Sequence, residues 1–246
     1  MANVNTDIRV FPDLTTLSAA AVQLFVDSAA QAIRERGRFL VSLGGGSTPM
    51  ALYRQLVREP IDWTRVHVFW GDERLVLPED SESNYGQASE ALLKHVPIPA
   101  ENVHRVASEL ESAAAVTDYA LTLKRFASPP LDWPRFDLVL LGMGKDGHTA
   151  SLFPGSPVEM KEPVIAVTGH YQDRPANRIS LTPVVINAAR LVTFLVSGNR
   201  KAAILSRVLS KTESFELLPA QRIRPTEGKV VWLVDKTAGS LITLEE

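Results

Sequence analysis

Cysteine is absent from the 246 residues, which removes disulfides, Cys-ligated zinc and thiol nucleophiles from consideration. No apolar run approaches the length of a membrane span. The opening "MANVNTDIRVFPDL" carries Asp7 and Pro12 where a signal peptide would need an apolar core, so a soluble, cytoplasmic protein is expected. Blocks of five like charges are missing too, and the formal net charge is only -2. The chain therefore lacks the electrostatic footprint that nucleic acid or an anionic membrane would require. Internal repeats and low-complexity tracts, the signs of a solenoid or a tail, do not occur.

What is present is ordinary globular composition, 45% hydrophobic and 22% charged, in a length that suits one large α/β domain. Leu17, Ala21, Leu24, Phe25, Ser28 and Ala32 recur at steps of three and four, which predicts an amphipathic helix ended by Gly37. The short apolar runs "RFLVSL", "VHVFW", "FDLVLL", "VIAVTG", "LVTFLVS" and "VVWLVD" read as buried strands. Helical candidates lie between them at residues 49–58, 85–95, 111–126, 187–190 and 200–210. Such alternation argues for an α/β fold: a doubly wound, mostly parallel sheet with helices on both faces, Rossmann-like and three-layered, in a single domain over residues 1–246. Ligands of these sheets bind beyond the carboxyl ends of the strands. The segments found there are "GGGSTP", "GDER", "GMGKDGH" and "GNRK".

Gly142, Gly144 and Gly147 satisfy GxGxxG after a strand, as a dinucleotide turn would. Yet Pro154 and Pro157 interrupt the helix that would hold a pyrophosphate. The run "VIAVTGHY" also ends without the acidic residue such a site needs; Glu162 lies at about the right distance of ~20 residues but precedes that strand. No cofactor is expected. The other reading is that the glycines turn the backbone sharply so that Asp146 and His148 face a ligand. An imidazole with an unperturbed pKa near ~6.5 takes a proton from water without help from a metal, and a nearby carboxylate fixes its tautomer. The residues alone leave His148 open between that role and an ordinary one. His67, His95, His104 and His170 are read as ordinary surface or core histidines.

A second signal is "LGGGSTPMALYRQL". Gly44, Gly45 and Gly46 bring backbone N–H groups close to a ligand, Thr48 is placed as the N-cap beside Ser47, and Pro49 suits the first helical position. A helix start of this kind binds anions. The Lys-Ser/Thr pair of a nucleotide-hydrolysing loop is absent, which disfavours that chemistry. Arg74, Arg178 and Lys201, each near a strand end, would complete a phosphate cradle, and Asp72 of "GDER" joins the same binding set. The alternative is a capped glycine turn among solvated surface charges.

Taken in order, "LGGGSTP", "GDERLVLPEDSESNY", "LGMGKDGHTASLFPG", "NRISLTPVVINAAR" and "GNRKAAIL" resemble the 6-phosphogluconolactonase family from about Leu43 to Leu205, and "VVWLVDKTAG" looks like its last strand. The resemblance implies a metal-independent hydrolase that opens 6-phospho-D-glucono-1,5-lactone to 6-phosphogluconate in the oxidative pentose phosphate pathway. It also implies a fold shared with glucosamine-6-phosphate deaminases and ribose-5-phosphate isomerases. Carried over by motif, His148 is the general base acting on water, Asp146 supports it, and Arg74 is an active-site arginine. Ser47, Thr48, Arg178 and Lys201 map onto phosphate-binding positions. The expected partner is then a small sugar phosphate lactone, and the protein a monomer or small homo-oligomer.

Deaminases of this fold resemble "DGHIAFNEP" in the same turn, where the glutamate moves protons. Phe153 stands at that position here, and a phenyl ring cannot do so, which favours hydrolysis over isomerisation or deamination. A non-catalytic sugar-phosphate sensor would need a DNA-binding module, for which the residues before the first helix leave no room.

Overall fold

The computed structural model describes residues 5–157, 159–169, 175–210 and 218–243. Along the chain run β1 (Asn5–Phe11), α1 (Leu14–Arg36), β2 (Phe39–Leu43), α2 (Ser47–Leu56), β3 (Val66–Trp70) and β4 (Asp72–Arg74). Then come α3 (Asn84–Ala91), α4 (Ser112–Lys124), β5 (Leu138–Leu141), β6 (Val164–Thr168) and β7 (Asn177–Leu181). The last elements are α5 (Pro183–Ile186), β8 (Leu191–Val196), α6 (Ala202–Leu209) and β9 (Lys229–Asp235). Among the described residues no helix is long and apolar enough to cross a membrane.

Six strands pair in parallel in the order β1-β9-β8-β5-β2-β3. Successive strand side chains point to opposite faces, and both faces here are apolar. Val41, Leu43, Leu138 and Leu140 pack with Leu17, Ala21 and Phe25 of α1. Leu40, Val139, Leu141 and Phe194 pack on the other side with Tyr119 of α4 and Leu205 of α6. Burial on two faces is why the strands read as continuous apolar runs. The helix α1 starts at a capping box, with Thr16 N donating to Asp13 Oδ1 at 2.8 Å, and ends at Gly37 in the left-handed conformation, φ 74°.

The chain steps outward from β2 to β3 and then returns to lay β5 on the other side of β2. Connections leaving β2 and β5 thus diverge, and the crevice between them opens at their carboxyl ends. Gly44 follows one strand and Gly142 the other. The glycine-rich segments therefore face each other because of strand order.

Two expectations are corrected, and one strand is new. The run "VIAVTG" is β6, and it lies outside the parallel sheet: β4, β7 and β6 form a separate antiparallel sheet. Ile179, Leu181 and Val164 of that small sheet cover part of one face of the large one, in place of a helix. Residues 187–190 form a turn after the short helix α5, which starts at Pro183, so the helical turn precedes the expected span. Strand β1 was not anticipated; it caps the sheet edge beside β9.

Three of the histidines read as ordinary, His67, His95 and His104, lie away from the crevice. His67 Nδ1 and His104 Nε2 are 3.2 Å apart in an aromatic cluster with Phe69 and Phe126, and His95 Nε2 meets Glu90 O at 2.9 Å. His170 falls outside the described residues.

Candidate active site

A cavity of about 480 Å3 lies at the crevice and gathers all four strand-ending segments. Gly44, Gly45, Gly46, Ser47, Thr48, Asp72, Arg74, His148, Arg178 and Lys201 all line it. Asp146 is placed behind His148.

The turn after β5 is shaped around that pair. Asp146 Oδ1 lies 2.6 Å from His148 Nδ1 and also accepts from the His148 backbone N–H at 3.2 Å. Gly147 takes φ 82°, a conformation glycine adopts without strain. Gly144 is required for space: a Cβ there would sit 2.1 Å from His148 Nδ1 and 2.7 Å from Asp146 Oδ1. Phe153 packs against the imidazole with ring centroids 4.9 Å apart. Burial opposes ionisation of Asp146, but the hydrogen bond and charge of His148 outweigh it and hold the carboxyl below its usual range. Ala150, in the same turn, is the one described non-glycine residue at positive φ, 47°; strain of this kind clusters at functional sites.

The loop after β2 is held from below. Tyr53, buried on α2, accepts from Gly44 N–H at 3.1 Å and donates to Gly44 O at 2.8 Å. Tyr119 does the same for Trp70 at the end of β3, with both bonds at 2.8 Å. Each hydroxyl satisfies both polar groups of a residue where its strand runs out of partners. The N-cap of α2 is Gly46, at φ 99°, and not Thr48; the helix begins at Ser47 and Pro49 falls third. Pro49 has no N–H to lose, so it is tolerated in this first turn. No described residue accepts a hydrogen bond from the N–H groups of Gly45, Gly46, Ser47 or Thr48, which leaves a positive helix end open to the cavity.

The small sheet supplies charge. Arg74 and Arg178 are opposite one another in the β4–β7 pairing, and both are buried. Like charges placed so are destabilising by themselves, and an anion in the cavity would relieve them. Arg74 Nη1 donates to Glu82 O at 2.5 Å, while Arg178 Nε donates to Pro175 O at 3.1 Å and its guanidinium lies 5.6 Å from the Phe153 ring centre. Asp72 tempers the charge: its Oδ2 accepts from Ser151 Oγ at 2.6 Å and its Oδ1 from Asn84 Nδ2 at 3.3 Å. Lys201 enters from the turn after β8. Burial lowers its ammonium pKa, Asp235 opposes that shift, and its side chain makes no hydrogen bond or ion pair among the described residues.

Sequence reasoning missed Asn84, Ser151, Lys145, Arg200 and Ser197. Asn84 packs under Gly45, where a Cβ would come within 2.0 Å of its Oδ1; no local pattern signals a contact between residues this far apart. Lys145 and Arg200 line the rim and stood inside motifs already singled out. Among the described residues no three His, Asp or Glu side chains converge as a metal ion would need.

A mixed site of this kind, an open helix end and cations beside a His–Asp pair at a switch point, suits a small anionic ligand. The family model for glucosamine-6-phosphate isomerases/6-phosphogluconolactonase matches residues 12–232, and the chain belongs to that family. Relatives named 6-phosphogluconolactonase are among those it resembles. One from Nostoc sp. is 38% identical over 96% of this chain and 98% of its own length. The crystal structure of 6-phosphogluconolactonase from Thermotoga maritima superposes with a TM-score of 0.83 at 30% identity, covering 94% of this chain and all of that one. The enzyme from Trypanosoma brucei superposes with a TM-score of 0.85 at 29% identity, covering 98% and 100%.

Proposed function

We propose that this chain hydrolyses 6-phospho-D-glucono-1,5-lactone to 6-phosphogluconate, as a cytoplasmic enzyme of the oxidative pentose phosphate pathway acting as one domain, with His148 as general base. The observation that carries the reading is the His148–Asp146 contact of 2.6 Å in the same cavity as an anion-ready helix end. With Nδ1–H donated to Asp146, the neutral imidazole keeps its lone pair on Nε2. That nitrogen takes a proton as water attacks C1, and Asp146 stabilises the imidazolium that forms.

The substrate phosphate docks at Ser47, Thr48 and Lys201, with Arg178 beside it, which sets the lactone carbonyl toward His148. The carbonyl oxygen becomes an oxyanion, and preorganised donors lower the energy of that state. Gly44 cannot serve, because its N–H is engaged by Tyr53; the N–H groups of Gly45 and Gly46 and the Arg74 guanidinium remain. His148 then returns its proton to the ring oxygen as the C1–O bond breaks, and the new carboxylic acid ionises. Phe153 packs on the imidazole and offers no second proton carrier, which supports hydrolysis over deamination.

The test is a coupled assay with freshly generated lactone, comparing the wild type with His148→Ala. General base catalysis contributes about 10²–10⁴-fold, so turnover should fall by that factor while product affinity changes little. A variant with full activity after spontaneous hydrolysis is subtracted would sink the proposal. Ammonia release from glucosamine 6-phosphate by the wild type would redirect it.

A further inference from the structure

Asp235 ends β9 and is buried at 5% exposure, behind the turn that carries Lys201. A carboxylate close to an anion site is costly unless it has a task, since its charge repels the ligand. Its hydrogen bonds indicate one. Oδ2 accepts from Ser197 Oγ at 2.5 Å and from Gly198 N–H at 3.1 Å; Oδ1 accepts from Thr237 Oγ1 and from Ala238 N–H, both at 2.7 Å. Burial alone would raise its pKa, and these donors outweigh burial and hold it ionised. Two of the four belong to the turn after β8.

Gly198 stands there at φ 100°, and its carbonyl accepts from Lys201 N–H at 3.0 Å, closing the 3-10 turn Asn199–Lys201. The lysine is thus launched from a backbone that Asp235 grips across the strand pair β8–β9. We propose that Asp235 is a positioning residue of the anion cradle: it fixes the Ser197–Gly198 turn from which Lys201 is presented and supplies the countercharge for that ammonium before the ligand arrives. The inference rests on Lys201 holding the substrate phosphate. Asp235 touches no substrate; it acts through the lysine.

A double-mutant cycle tests this, with binding of 6-phosphogluconate followed by calorimetry for the wild type, Lys201→Ala, Asp235→Asn and the pair. Loss of a hydrogen bond to a charged group weakens affinity about tenfold or more, which is expected of Lys201→Ala. Asp235→Asn should weaken binding by a similar factor alone, yet by less than about twofold when Lys201 is already alanine, because coupled residues are non-additive. In steady-state assays Asp235→Asn should raise KM and leave kcat nearly unchanged, a split that general loosening of the fold would not produce. Equal weakening in both backgrounds, or none where Lys201→Ala has an effect, overturns the inference. If Lys201→Ala itself binds normally, the phosphate assignment falls and takes this inference with it.

Should Asp235→Asn fail to fold, Ser197→Ala and Thr237→Ala decide. Each deletes one hydroxyl from the same carboxylate, but only Ser197 lies on the lysine's side. Because Ser197 also lines the cavity, each is made with and without Lys201→Ala: weaker binding in Ser197→Ala alone, and only while Lys201 is present, is expected, and equal effects of the two hydroxyls or a Ser197→Ala effect that persists without Lys201 overturn the proposal.

Discussion

Replacing Gly144 by alanine adds one carbon, and its consequence can be worked from the geometry. Gly144 is not among the glycines with positive φ, so alanine fits the backbone and the effect is steric. The new Cβ would lie 2.1 Å from His148 Nδ1, where real contacts essentially never fall below 3.0 Å, so the imidazole must move by at least about 0.9 Å. Asp146 Oδ1, at 2.7 Å, is displaced as well. Moving both partners breaks the 2.6 Å contact that orients the ring. A misplacement of ~1 Å costs about 10²-fold in rate, so Gly144→Ala should lose about that much kcat. Phosphate affinity should stay close to wild type, because the helix start and Lys201 are untouched. The assay is lactone hydrolysis with the spontaneous rate subtracted, alongside a thermal melt to show that the fold persists. A folded Gly144→Ala protein with wild-type kcat would refute the reading of this turn as the mount for His148.

Two further outcomes concern stability. Tyr53→Phe leaves the buried Gly44 N–H and C=O without the hydroxyl that serves both, so denaturant unfolding should show a loss of about 1–3 kcal/mol; a change under about 0.5 kcal/mol would contradict the role given to that hydroxyl. His104, half-buried beside Phe69, has its pKa pushed down to about 4, chiefly by burial and then by His67 and Arg125. Between its ordinary 6.5 and about 4 the unfolded chain binds a proton that the folded one refuses. Stability should therefore fall as pH drops through that window and level off below it. His104→Gln should flatten the trend in unfolding measured at pH 7 and pH 5, and a slope identical to wild type would exclude this histidine as its source.

The sequence by itself determined the elements with strong periodicity and the segments that line the cavity. Continuous apolar runs such as "FDLVLL" mark strands buried on two faces, and those strands formed the parallel sheet. Glycine, a carboxylate and a histidine compressed into "GMGKDGH" marked the turn after "FDLVLL" as a candidate, and the structure places His148 of that turn on the cavity wall. Tertiary structure decided what depends on partners distant in sequence. "VIAVTG" has the composition of a central strand, yet it pairs with β7 at the edge of the small sheet, where Val164 alone of the strand is buried. Which residue caps α2 was settled by how Gly46 leaves β2, and whether Gly44 offers its N–H was settled by Tyr53. The opposition of Arg74 and Arg178, the packing of Asn84 under Gly45, and the reach of Asp235 to the turn before Lys201 follow from strand order and register. Local propensity carries no information about contacts that exist only once the sheets have formed.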